Sequence, residues 1–191
     1  MPFARKAPPT PRAPRRDAVR NDERVIQAAR EVFGERGPQA SMEDIAARAG
    51  VGVGTIYRRF PSKEALLDAL TAQITQEMEA AASDALDGDD GHGLASFLEF
   101  VGESNAAKRR YWHLVAERAG DQGMTGAMAD KVRALTRNAI EAGELSPDTA
   151  VEDIHLLIKA LRPVVGGAAD DDQPWRRFLR IHLAGMRPPH R

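Results

Sequence analysis

Residues 41–60 read SMEDIAARAGVGVGTIYRRF, and the order of apolar and punctuating residues predicts two short helices separated by a glycine turn. Ser41 stands where a side-chain oxygen accepts a hydrogen bond from the backbone N–H near Asp44, while Glu43 and Asp44 complement the positive end of the helix dipole. Behind them Met42, Ile45, Ala46 and Ala49 follow the i, i+3, i+4, i+7 spacing of one apolar face, and its two alanines let a neighbouring backbone come close. Gly50 supplies positive φ just past the helix end, and Val51 pins the turn to the core. On the second helix Ile56 and Phe60 share one face with Val53 at its edge, whereas Gly54, Thr55 and Arg58 point away and Tyr57 flanks them. A glycine that permits close approach, a hydroxyl, a phenol and a guanidinium suit phosphate oxygens and base edges in a major groove, and no catalytic reading fits the set as well. Pro61 stops this helix and Ser62 caps the next, so Lys63 lies at a helix N-terminus, where a cation helps only beside an anion such as a DNA phosphate.

A supporting helix is expected upstream, from about Asp22 to Glu35, because Val25, Ala28, Ala29, Val32 and Phe33 form a stripe and Gly37-Pro38 ends it. Four motifs now stand in series: AAREVFGERG, SMEDIAARAGV, GTIYRRF and PSKEALL. In that order and spacing the stretch from about Asn21 to Leu70 resembles the DNA-binding domain of the TetR family of bacterial transcriptional regulators. The resemblance implies that Ser41, Thr55, Tyr57 and Lys63 contact phosphates and that Val53, Gly54 and Arg58 lie nearest the bases. One position departs from the family pattern. Arg59 stands where His or Tyr commonly precedes the phenylalanine, so a phosphate contact there would come from a different group.

Charge agrees with a reading head at one end. Residues 1–63 hold 13 Lys and Arg against 7 Asp and Glu, a balance of +6, and the remainder holds 14 against 21, a balance of −7. The near-neutral total of −1 therefore hides an asymmetry in which the basic part attracts DNA and the acidic part faces away from it. Residues 1–20 carry five prolines and six basic residues and are expected to form a disordered basic tail. Cysteine is absent, which excludes disulfides and thiolate metal sites. No apolar run reaches the roughly 18 residues of a membrane span and no secretion signal opens the chain, so a cytoplasmic protein without membrane association is expected.

Helix four is expected from Ser62 to about Leu86, long enough to leave a DNA-binding domain of residues 21–68 and enter a second domain of residues 69–188. Beyond the linker DGDDGHG, helices are expected at Leu94–Glu103 and at about Lys108–Arg118, Met124–Glu141 and Pro147–Leu161, with a last one at Pro174–Met186. The fold class is thus all-α, with a three-helix head joined by a long helix to a helical effector-binding and dimerisation domain. Pro163 and Gly166-Gly167 are expected to kink or stop the penultimate helix, and Asp170 to Asp172 to form a loop. Phe97, Val101, Trp112 and Met128 are candidate linings of a small-molecule pocket, a reading drawn mainly from the resemblance. Leu157, Leu161, Phe178 and Ile181 are candidate dimer contacts, because the last two helices carry more apolar residues than one core-facing stripe requires.

His113, His155 and His182 lie singly on their helices without a supporting carboxylate, so no metal is expected, and no motif calls for a cofactor or an enzyme. The expected function is a homodimeric regulator, acting as a repressor, that leaves a palindromic double-stranded DNA operator when a small-molecule effector binds. The alternative is an architectural DNA-binding protein that needs no effector, and a third reading is an enzyme or ligand carrier with a vestigial reading helix.

Overall fold

The computed structural model describes residues 14–88, 90–119, 126–166 and 173–189. Among these the elements are α1 (Pro14–Arg36), a 3₁₀ turn (Gly37–Gln39), α2 (Met42–Ala49), α3 (Val53–Arg59), α4 (Lys63–Asp87), α5 (Gly93–Lys108), α6 (Trp112–Ala119), α7 (Ala127–Glu141), α8 (Val151–Gly166) and α9 (Pro174–Gly185). No described residue is in a strand. The chain is all-α, as its 3.6-residue periodicities imply.

Two hydrophobic clusters organise the helices. The first gathers Val25, Ala29, Val32 and Phe33 of α1, Ile45 and Ala46 of α2, Ile56 of α3, Phe60, and Leu66, Leu67, Leu70 and Ile74 of α4. Tyr111 and Val115, from the far side of α5, complete it. The second gathers Ala82 of α4 with Phe97, Leu98 and Val101 of α5, Val132 and Leu135 of α7, Ile154, Leu157 and Leu161 of α8, and Trp175 and Leu179 of α9. Helix α4 has 25 residues, about 37 Å at 1.5 Å per residue, and contributes to both. The two cores do not divide at residue 68, because Ile74, Tyr111 and Val115 belong to the first.

Three expectations are corrected. Helix α1 starts at Pro14, inside the stretch expected as tail, because proline is pre-set for a first helical turn and no further proline follows through Arg20; residues 1–13 lie outside the described residues. Helix α8 runs through Pro163 to Gly166. The proline sits in the last turn, and both it and Lys159, whose carbonyl loses a partner, are exposed, so water can supply the missing hydrogen bond. The start of that helix moves from Pro147 to Val151, where the Asp153 carboxylate accepts from the Ala150 N–H at 2.9 Å. The expected loop at Asp170 to Asp172 lies outside the described residues.

Helices α5 and α9 meet with almost no space. A Cβ built on Gly102 would come within 2.2 Å of Trp175 Cε3 and 2.3 Å of Cζ3, ring atoms that cannot swing aside. Gly102→Ala is therefore expected to lower stability by about 1–3 kcal/mol despite the better helix propensity of alanine. Thermal unfolding followed by circular dichroism checks it.

Candidate nucleic-acid interface

The turn between α2 and α3 is fixed from both ends. Ser41 accepts from the Asp44 N–H at 3.1 Å while the Asp44 carboxylate accepts from the Ser41 N–H at 3.2 Å, a reciprocal cap that starts α2. At its other end Gly50 takes φ 66° and returns its N–H to the carbonyls of Ala46 and Ala47, the conformation anticipated for glycine there. Arg24 of α1 adds a hydrogen bond from Nη2 to the Ala49 carbonyl at 2.5 Å, which ties the hinge to the supporting helix. Arg48 makes a second tie, to Glu31 at 2.9 Å and Glu35 at 2.7 Å. These arginines escaped the sequence reading because their partners are a dozen or more residues away.

Ile56 is the buried residue of α3, and Phe60, just past its end, is buried beside it. The opposite side is open: Val53, Gly54, Tyr57, Arg58 and Arg59 are exposed and Thr55 is half-buried. A Cβ at Gly54 would meet nothing of this chain within 4 Å, so the packing does not require glycine there. The exposed face departs from a uniform cationic surface in two places. Arg59 donates to the Asp22 carboxylate at 2.7 Å, so its guanidinium is already paired within the chain. Lys63, at the start of α4, donates to the Pro38 carbonyl at 2.6 Å, and its ammonium lies 5.7 Å from the centre of the Phe33 ring. Tyr57 Oη is 3.5 Å from Glu43, a contact too long to hold the phenol firmly.

A family model described as bacterial regulatory proteins of the tetR family matches residues 25–70, which covers α2, α3 and the starts and ends of their supports. The chain is 28% identical over 135 residues to the HTH-type transcriptional regulator UidR of Escherichia coli K12, spanning 65% of this chain and 69% of that one. It is 41% identical over 63 residues to the HTH-type transcriptional repressor Rv3405c of Mycobacterium tuberculosis, spanning 30% and 34%. The fold matches the TetR transcription regulatory protein from Mycobacterium vanbaalenii with a TM-score of 0.71 at 28% identity, over 91% of this chain and 99% of that one. The chain belongs to the TetR family. It is a transcriptional regulator of that family with a helix-turn-helix built from α2 and α3.

The helical body behind this TetR-type head rearranges the other expected sites. Leu157 and Leu161 are core residues, with Leu161 fully buried, so neither can meet a partner subunit. With Ile154 and Val165 they form the inner stripe of α8, and the neighbour one position earlier, Leu156, is turned outward and 65% exposed. Ile181 of α9 is 58% exposed and Phe178 packs partly against the second core. Of the four residues expected to line one pocket, Phe97, Val101 and Met128 share the second core and Trp112 stands apart from them. Phe97 borders a groove between α4 and α5, Val101 and Met128 pack in or against the second core, and Trp112 packs against the first, with the Arg162 guanidinium 4.3 Å from its ring centre. Trp112 leaves the set because α6 folds back onto the head. Among the described residues no group of three or more His, Asp or Glu could hold a metal ion, and no helix is long and apolar enough to cross a membrane.

The reciprocal cap has a measurable signature. Hydrogen bonds with the Ser41 side chain, then with its backbone N–H, hold the Asp44 carboxyl below its ordinary 3.8, with the Arg36 guanidinium at 2.6 Å acting in the same sense. A carboxyl whose pKa is lowered by folding contributes stability above its unfolded pKa and loses it as pH falls through the folded value. Asp44→Ala is therefore expected to weaken the protein to urea at neutral pH and to differ less from the parent well below pH 3.8. Ser41→Ala is expected to cost about 1 kcal/mol at neutral pH.

Proposed function

We propose that this regulator binds a palindromic operator as a homodimer through the outward side of α3, acts as a repressor, and leaves the DNA when a small molecule occupies its helical body. The observation that carries the reading is the two-sidedness of α3. Ile56 and Phe60 hold it to the first core while Val53, Gly54, Tyr57 and Arg58 face outward with no part of the described chain over them. Ser41, Thr55, Tyr57 and Lys63 then contact phosphates, and Val53, Gly54 and Arg58 approach base edges. Arg59 is a weaker phosphate ligand than its charge implies, because Asp22 must first release it. The reading head is residues 21–68, with Ile74, Tyr111 and Val115 lent to its core from beyond that boundary, and the body that binds effector and partner is residues 69–188.

The dimer surface is supported by Leu156 and Ile181, two large apolar side chains left exposed on α8 and α9, with Phe178 at the edge. A two-fold axis there sets two α3 helices on one face of the DNA, about 34–36 Å apart or a multiple of it. Effector binding then shifts the population toward a spacing that misses the operator, limited by its difference in affinity for the two states. Selection of bound duplexes from a random pool tests the whole reading. An inverted repeat is the expected product, and recovery without sequence preference would favour the effector-independent architectural alternative.

Gly54→Ala separates recognition from folding. Alanine in an exposed helix position is expected to leave stability unchanged or raise it by up to about 1 kcal/mol, while operator affinity falls because the added methyl meets the groove. Lys63→Ala is expected to weaken all sequences alike and lower the salt slope by about one, whereas Arg58→Ala is expected to change preference at one base by roughly 1–3 kcal/mol. Fluorescence anisotropy over a salt series reads all three. Replacing Leu156 and Ile181 together by Glu is expected to halve the mass seen by sedimentation while the helical signal persists.

A further inference from the structure

The groove between α4 and α5 has a chemistry that the helix-turn-helix does not use. Its volume is about 840 Å³, within the range of small-molecule sites. Ala80, Ala81 and Ala85 of α4 and Phe97 and Phe100 of α5 give it an apolar wall. At the end nearest the reading head stand Arg30 of α1, Glu77 of α4, and Ser104 and Lys108 of α5. Lys108 is the unusual member, a lysine whose side chain is only 5% exposed.

Its ammonium carries three donors. One is directed to Ser104 Oγ. The Glu77 carboxylate is 3.9 Å away through Oε2, outside hydrogen-bond reach, because its other oxygen is held by Arg30 Nη2. Arg30 Nε is itself buried with no acceptor among the described residues. Two cations therefore share one carboxylate, which leaves an excess positive charge at this end of the groove, with the Arg30 Nε–H buried and unpaired among the described residues and Lys108 almost wholly buried. Burial pushes the Lys108 ammonium down from its usual range; Glu77 acts against that push and Arg30 with it. Such a charge is costly to hold, and an entering anion offsets the cost.

We propose that this groove binds a small organic anion, with its carboxylate at Lys108 and Arg30 and its apolar body against Phe97, Phe100 and the alanines of α4. The proposal rests on the reading of the protein as an effector-regulated repressor and assigns the chemical class of that effector. The acidic side chains elsewhere on the groove do not oppose it strongly. Asp84 is exposed and two turns beyond Glu77, about 10 Å along α4 and near the screening length of physiological salt. Glu103 is occupied by Arg176 at 2.7 Å, and Asp90, exposed in the turn beyond the end of α4 and thus farther still from Lys108, accepts from the His92 N–H at 3.3 Å. Because Arg30 belongs to α1, a carboxylate that competes with Glu77 for it acts directly on the brace of the reading head.

Octanoate, octanol and octylamine share an apolar chain and differ in the charge of the head, so titrating each into the full-length protein, by calorimetry and by thermal unfolding, tests the class. Octanoate is expected to bind about tenfold or more tighter than either of the others, the effect of one charge-assisted pairing. Lys108→Met is expected to fold with an unchanged or higher melting temperature and to lose that preference, and Lys108→Arg to restore part of it. Equal binding of octanol, tighter binding of octylamine, no binding of octanoate, or a preference that survives in Lys108→Met would each overturn the proposal. Duplex selection with the unliganded protein is run in parallel. A recovered operator without carboxylate preference removes only this assignment, whereas failure to bind any duplex removes the regulator reading itself.

Discussion

Helix α3 has seven residues, too few to persist alone in water, since an isolated helix of about 12–15 residues is already marginal. It exists because Ile56 and Phe60 are seated among Val32, Phe33, Ile45 and Leu66, and because Gly50 aims it away from α2. The outward residues proposed to address DNA contribute little to that seating. Anchoring and reading are therefore assigned to different sides of one short rod, which lets Gly54 remain a glycine in open space without loss to the core.

Helix α4 passes that order from head to body. Its first half fills the core under α3 and its second half, from Met78, packs in the body. Between them Glu77 takes an oxygen to Arg30 of α1 and turns the other toward Lys108 of α5. One carboxylate thus stands where three helices meet. A change at the groove need not travel through a chain of small displacements to reach α1, because α1 already contributes a side chain to it.

The parts of the molecule that were readable from sequence are those governed by neighbours along the chain. The Ser41 cap, the Gly50 turn, the inward Ile56 and the extent of α4 each depend on residues a few positions apart, and all four are found. Misreadings arose where the deciding partner is distant. Apolar content correctly marked α8 as rich, but periodicity cannot say which stripe meets its own subunit, and Leu157 and Leu161 turned out to face inward while Leu156 does not. Trp112, placed in the pocket set mainly by the resemblance, lies on a helix that folds back on the head. The Arg30–Glu77 pair joins residues 47 apart, and no local pattern signals it.

That return of the chain by way of Tyr111 and Val115 limits how the head may be exchanged in evolution or by engineering. A fragment ending after α4 would keep the whole helix-turn-helix but leave a hole where an aromatic ring and a valine belong. Fusing it to an unrelated body would succeed only if the new body offered a plug of similar shape. The head is thus modular in sequence and interlocked in space, and chimeras that respect the first property while ignoring the second inherit a void.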